Sequence, residues 1–330
     1  DVCSSDLLNP GSSDQLKEIL YNKFCYQPQK LTKTKQPSTD KDALNALLYQ
    51  PNTFQARRFV DTLLHYRATN TALTYLLSYQ RFQKDRYLHP NMNIVGTSTT
   101  RLSSSEPNGQ NVSKGRELEE LDEDGNKVIA YSLRRVFGPP PGYTWYSIDY
   151  DQLQIRIFAY LSGEQSLISA IEAGFDFHDT VAKSMYEVDT PTKSERKVAK
   201  AVNFGIIFGA GKRKIDYMCG VKGSFRKYNK LYPNVSSYIY QTIQEVKTNG
   251  FIRTKSGYPL TVPKNKAYAG VNYKVQGTEG DIVKYALANI YDYLQNDIPE
   301  IQVILQVHDE FLFQCPNNIE FPVEHICHLM

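Results

Sequence analysis

The sequence predicts an α+β fold, with strands in two widely separated segments and helical stretches before and between them. Three observations carry this. IQVILQVHDEFLFQC (301–315) alternates with a period of two, through Ile301, Val303, Leu305 and Val307 and, after a break at His308-Asp309, through Phe311 and Phe313. That is the pattern of a β-hairpin. WYSIDYDQLQIRIFAYLS (145–162) starts as a strand ending at Asp149 and becomes helical, with Leu153, Ile157, Tyr160 and Leu161 recurring at helical spacing. SERKVAKAVNFGIIFGAG (194–211) follows Thr190-Pro191, a helix start, and sets Arg196, Lys200, Phe204 and Phe208 four residues apart.

The hairpin tip is the odd part of the first segment. Tight hairpins favour Asn-Gly or Asp-Gly, because the turn needs positive φ, so a His-Asp tip points to a site. Asp149 stands at the end of the other strand, beside a helix N-terminus where an N-cap role is the plain alternative. Two carboxylates about 4 Å apart repel by about 4 kcal/mol at an effective dielectric near 20, and cations relieve that repulsion. Magnesium is the natural candidate.

In the third segment each step of four residues advances about 40° around a helix, so Arg196, Lys200, Phe204 and Phe208 form one drifting stripe, with Asn203 and Ile207 falling within it. Cations occupy its N-terminal end, where the helix dipole adds positive potential, and rings occupy the far end. This suits a polyphosphate followed by a base. A solvated amphipathic helix is the bland reading, and the rings on the cationic face count against it.

With these blocks in hand, the chain resembles the family A, or DNA polymerase I-like, DNA polymerases. IDYDQLQIR, RKVAKAVNFGIIFG and LQVHDE look like the family's motifs A, B and C, in its order. TSTTRLSSSEPNGQN (97–111) and NYKVQGTEGDIVK (272–284) match two further blocks, and NPGSSDQLKEIL with the later PSTD resembles the start of the family's thumb.

The resemblance implies a right-hand polymerase fold with an antiparallel-sheet palm, helical fingers and a helical thumb. It implies template-directed addition of deoxynucleotides to a primer 3′-hydroxyl, with release of pyrophosphate. Asp149, Asp309 and the carbonyl of Tyr150 would hold two Mg2+ ions about 3.5–4 Å apart, with Mn2+ as a substitute. Glu310 would be an auxiliary acid. Arg196 and Lys200 would bind the nucleotide phosphates, Lys200 also protonating the pyrophosphate, and His178 in FDFHDT would lie near the triphosphate. Phe204 would stack on the incoming sugar and base, and Phe208 would border the templating base. Arg101, Asn272 and Gln276 would face the minor groove, whose degenerate pattern suits a copying enzyme. Asn108, Gln110, Asn111 and His308 complete the expected DNA contacts.

Two positions depart from the family pattern. Gln154 stands where Glu is common, and Phe208 where Tyr is frequent, and losing the charge and the hydroxyl together is self-consistent. Gln154 would still exclude ribonucleotides by bulk. By family analogy, Phe204 suggests discrimination against nucleotides that lack the 3′-hydroxyl.

The expected organisation is thumb 8–92, with a loop at 27–39; palm 93–162, with an acidic hairpin or loop at 115–127; fingers 163–267; and palm again from 268 to 330. DVCSSDL (1–7) reads as a translated adapter rather than native sequence, and the chain reads as a fragment of a longer phage or bacterial gene.

With 330 residues, 22% charged, 41% hydrophobic and a net charge of +3, the chain is not a uniformly basic binder. DNA grip must come from local clusters such as 196–200 and 212–214. Five cysteines without a C-x-x-C pair argue against a disulfide frame or zinc ribbon, and His325, Cys327 and His328 lack a complementary pair. No apolar run reaches membrane length, so a monomer in the cytoplasm of a bacterium or phage-infected host is expected, with primer-template DNA and deoxynucleoside triphosphates as partners. A single-subunit RNA polymerase shares the two-aspartate plan, and a truncated, inactive primer-template binding module is the non-enzymatic alternative.

Overall fold

The structure, a computed structural model, describes residues 8–32, 34–112, 119–121, 127–129, 133–174 and 177–330. The suspected adapter segment 1–7 lies outside them. The chain divides after His89 into two compact units. That is three residues before the expected end of the thumb.

In the first unit, α1 (Ser13–Lys17) starts on Ser12, whose side chain accepts the N–H of Gln15, and a π-helical turn (Glu18–Lys23) follows it. Asp40 caps α2 (Lys41–Leu48) in the same way, and Thr53 caps α3 (Phe54–Phe82). Each cap supplies an acceptor to an N–H that the helix itself leaves unpaired. Leu16, Leu20, Leu44, Leu47, Ala56, Val60 and Leu63 form one small core. Between the first two helices the expected loop contains a bridge from Leu31 to Pro37. The unit ends in a two-stranded ribbon of β1 (Gln83–Lys84) and β2 (Tyr87–Leu88).

The second unit opens with β3 (Asn91–Asn93) paired to β4 (Ser103–Ser105). Next, β5 (Glu119–Leu121) pairs antiparallel with β6 (Lys127–Ile129). Residues 115–118 and 122–126 of the expected acidic insertion lie outside the described residues. Strand β7 (Tyr143–Asp149) leads through a three-residue turn to α4 (Leu153–Ser162), and a run of helices follows: α5 (Gln165–Glu172), α6 (Phe177–Tyr186), α7 (Lys193–Ile207), α8 (Lys212–Cys219), α9 (Ser224–Leu231) and α10 (Pro233–Asn249). A short hairpin, β8 (Phe251–Arg253) with β9 (Pro259–Thr261), precedes the long α11 (Gly270–Asp297). The chain closes with β10 (Gln302–Val307), β11 (Glu310–Pro316) and α12 (Val323–Leu329).

The central sheet is fully antiparallel, in the order β10-β11-β7. Its register pairs Phe311 with Ile148 and Phe313 with Tyr146 on one face, where Phe311 and Phe313 are completely buried. This face joins the main core shared by α4, α6, α7, α10 and α11. Burying each such ring contributes about 1.5–3 kcal/mol. Alternation then obliges the opposite face to carry Glu310 opposite Asp149 and Leu312 opposite Ser147.

The regular alternation expected along β10 is corrected by a bulge. Val303 pairs with Phe313, but Leu305 pairs with Leu312, so Ile304 is an extra residue and the strand reverses faces there. Leu305 and Val307 consequently share the face of Glu310, while Gln306, 5% exposed, falls opposite Phe311.

One glycine fixes how the helical layer meets this frame. Gly209, just beyond α7, has φ of 78°, and an added Cβ would stand 2.6 Å from the carbonyl oxygen of Tyr268. Left-handed backbone alone costs a side-chain-bearing residue about 1–2 kcal/mol, and here a backbone atom blocks the space as well. Gly209→Ala is expected to lower stability by more than that amount in urea unfolding; an unchanged midpoint would show that the close approach is not real.

Candidate active site

Strand β7 and the β10–β11 hairpin bring the two predicted aspartates to one place. Asp149 is opposite Glu310, and the N–H of Tyr150 donates to the carbonyl of Asp309 at 3.2 Å, so the hairpin turn is stitched to the strand end next door. The turn is the two residues His308 and Asp309, between the paired Val307 and Glu310. His308 has φ of 58°, in the region where glycine is favoured. The sequence's departure from ordinary turn chemistry is therefore real backbone strain, held where three carboxylates collect.

These groups line a cleft of about 350 Å3 with Gln110, Asn111, Val112, Arg134 and Val307. Ser147 donates its hydroxyl to Oε1 of Glu310, which holds that carboxylate against the wall. The N-cap reading of Asp149 fails. Helix α4 begins three residues later, its N-cap is Gln152 with φ of 53°, and no side chain caps it. Asp149 lines the cleft instead. Asp151, in the intervening turn, pairs with Arg156 at 3.1 Å. The Tyr150 side chain turns towards the core, its hydroxyl donating to the carbonyl of Met330, and burial pushes its pKa up to about 12.

Two of the residues expected to contact DNA have partners within the chain. The Asn108 side-chain oxygen accepts the N–H groups of Gln110 and Asn111, each at 3.1 Å, and so closes its own turn. Gln110 is 9% exposed, and its Nε2 donates to the carbonyl and side-chain oxygens of Gln306 at 3.0 and 2.9 Å. The bulge in β10 buries Gln306, a buried amide needs partners, and Gln110 supplies them. Gln110 forms part of the cleft lining. Asn111 and His308 are exposed at its edge.

A second cluster lies on α6 and α7. Helix α7 starts two residues after Pro191, on a capping box in which Thr192 accepts the N–H of Glu195 and Glu195 accepts that of Thr192. Along it, Lys200 and Phe208 are exposed, Phe204 is half-buried, and the rings of Phe204 and Phe208 stack at 6.4 Å. Asn203 and Ile207, expected within the stripe, turn into the core instead. Arg196 pairs through Nε with Asp179 of α6. His178 lies 6.3 Å from the Phe204 ring, and Nδ2 of Asn203 faces its Nδ1 at 2.8 Å.

A third cluster joins Arg101, α4 and α11. Arg101 makes two contacts to Oε2 of Glu279, through Nε at 3.0 Å and through Nη2. Glu279 is 1% exposed, and burial holds its carboxyl above the usual range, with Arg101 opposing that and Asp309 adding to it. Gln154 lies beside this carboxylate, and Asn272 and Gln276 stand on α11 two turns and one turn before it.

Asp179, Asn203, Arg134 and Glu279 were missed as site residues. Only the Arg-Arg pair in LRRVFG and the acid interrupting QGTEGD offered any signal, and neither has a local pattern that names its partner.

Comparison with known proteins agrees with this geometry. The profile of DNA polymerase family A matches residues 2–330. DNA polymerase I of Caldicellulosiruptor bescii is 33% identical over 95% of this chain and 37% of its own length. The thermostable DNA polymerase I of Thermus thermophilus is 30% identical over 94% and 38%. Among solved structures, the polymerase domain of Pol1 from M. smegmatis, in complex with DNA primer-template and dNTP, is similar with a TM-score of 0.82 and 25% identity, covering 98% of this chain and 57% of that one. The chain thus spans somewhat over a third of the curated relatives it matches, and has the antiparallel palm sheet, helical fingers and helical thumb of a polymerase domain. It belongs to DNA polymerase family A.

Proposed function

We propose that this chain is a template-directed DNA polymerase that extends a primer 3′-hydroxyl with deoxynucleoside triphosphates. The observation that carries this reading is the juxtaposition of Asp149, Asp309 and Glu310 in one cleft at the meeting of β7 and the β10–β11 hairpin. Asp149, Asp309 and the Tyr150 carbonyl would hold Mg2+, or Mn2+ in its place. Among the described residues no three acidic, His or Cys side chains converge as a complete metal cage. The donor set suits an ion that keeps waters and takes substrate phosphate oxygens, as magnesium does. When bound, such ions activate the primer hydroxyl and neutralise the departing pyrophosphate.

The chain's own groups do the rest by positioning and charge. Arg196, steadied by Asp179, and Lys200 grip the triphosphate, and Lys200 delivers a proton to the leaving pyrophosphate. His178, hydrogen-bonded to Asn203, lies near the triphosphate. Phe204 stacks on the incoming nucleotide and Phe208 borders the template base. Arg101, Asn111, Asn272, Gln276 and His308 contact primer and template. The protein would work in the cytoplasm of a bacterial cell or phage-infected host, as a monomer, and no helix in the described residues is long and apolar enough to cross a membrane.

Primer extension with Mg2+ tests this directly. Extension of a DNA primer by deoxynucleotides is expected. Primer-independent synthesis from ribonucleotides would favour an RNA polymerase, and binding without extension would reduce the chain to a binding module.

Gln154 provides a sharper test. Gln154→Ala is expected to raise ribonucleotide incorporation relative to deoxynucleotide by about tenfold or more, because the side chain's bulk opposes a 2′-hydroxyl. An unchanged ratio would remove the steric role.

A further inference from the structure

Glu279 is a buried acid that the proposed chemistry does not use. It sits where four segments converge. Its Oε2 binds Arg101, the Gln154 amide lies beside it, and Asp309 is close enough to raise its pKa. The approach is tight on the Arg101 side. Gly280 lets the α11 backbone reach Thr100 and Arg101, since an added Cβ there would meet the N of Arg101 and the O of Thr100 at 3.3 Å. Thr100 itself has φ of 58°, a strained choice for a β-branched residue that turns the chain just before Arg101.

Two acceptors are left over. Oε1 of Glu279 and Oε1 of Gln154 are both buried without a hydrogen-bond partner. A buried carboxylate with an unused oxygen beside a carboxamide is under pressure to recruit a donor, and the Gln154 amide nitrogen is the donor at hand. A hydrogen bond from the Gln154 side chain already favours the ionised carboxyl. Removing the charge would release both neighbours, because Arg101 would lose an ionic partner and Gln154 its anchor.

We propose that Glu279 is a positioning residue that aims Arg101 and Gln154 at the sugar edge of the nascent base pair, so that primer grip and ribonucleotide rejection both pass through one buried carboxylate. This rests on the proposed polymerase function, in which Arg101 faces the minor groove and Gln154 the incoming sugar.

The test is a carboxylate swap. Five variants, E279Q, Q154E, Q154A, the double variant Q154E/E279Q and R101M, are compared with the unaltered chain in primer extension. The readouts are KM for primer-template, kcat, and the ratio of ribonucleotide to deoxynucleotide incorporation, with thermal melting as a folding control. E279Q keeps the shape and removes the charge. It is expected to raise KM and relax sugar selection by about tenfold each, the worth of one charge-assisted hydrogen bond. Q154E alone crowds two carboxylates together and is expected to be impaired. The double variant returns a single carboxylate to the same pocket and should recover both readouts to within about threefold.

Unchanged KM and selectivity in a folded E279Q, or a double variant no better than E279Q, would overturn the proposal. Should E279Q fail to fold, the double variant against Q154E decides it alone. If R101M and Q154A also leave KM and selectivity unmoved, the roles of Arg101 and Gln154 fall with it. If those two respond and E279Q does not, only the role of Glu279 is lost.

Discussion

Asp309→Ala is expected to abolish primer extension, by about a thousandfold or more, while leaving the fold intact. A thousandfold loss is about 4 kcal/mol of transition-state stabilisation, a reasonable share for a group that helps to hold charge-neutralising cations at the reacting phosphate. The fold should tolerate the change because what Asp309 gives the structure is its backbone. Its carbonyl accepts from Tyr150, and the strained φ of the turn belongs to His308 rather than to Asp309. Removing one of three neighbouring carboxylates also relieves like-charge repulsion. The measurement is a single-turnover extension rate beside a melting curve. Extension within tenfold of the unaltered chain would show that Asp309 is not part of the chemistry, and a collapsed melting transition would show that its role is structural.

Phe311→Ala is expected to have the largest effect on stability, about 3–5 kcal/mol. Its ring is completely buried directly behind the cleft, opposite Ile148, and one residue along from Glu310. The ring belongs to the main core, and β11 is held between β7 and β10, so the wall cannot collapse into the space. Denaturant unfolding of the unit spanning 90–330 reports the loss, and Tyr285→Ala, at a ring 68% exposed on α11, is the control expected to stay within about 0.5 kcal/mol. If Phe311→Ala costs no more than the control, the register of β11 against β7 is wrong.

The parts of the site that were legible in sequence are those with a local signature. The hairpin showed as a period of two with a polar break, and the end of β7 as a strand that turns helical. The stripe on α7 showed as a four-residue spacing, although its drift was overextended: Asn203 and Ile207 are buried, and Phe208 lies just beyond the last helical residue. The bulge at Ile304 was not legible, because an extra residue leaves the composition of a strand unchanged and shows only in the partner's register. That one bulge also accounts for the burial of Gln110 against Gln306. The partners of Arg101 and Arg196 escaped notice for a different reason. Glu279 is 178 residues from Arg101, and Asp179 is on another helix from Arg196, so only packing decides that these acids meet those bases. The first compact unit ends at His89, after the capped helices α2 and α3.

The proposed function turns on Asp149 and Asp309 jointly holding divalent cations at the cleft. Electron paramagnetic resonance of Mn2+ with primer-template and a non-hydrolysable deoxynucleotide addresses it directly. Two bound Mn2+ ions per chain are expected, magnetically coupled through their short separation, with both signals lost in the double variant Asp149→Ala/Asp309→Ala. Undiminished binding of two coupled ions by that variant would contradict the two-aspartate site.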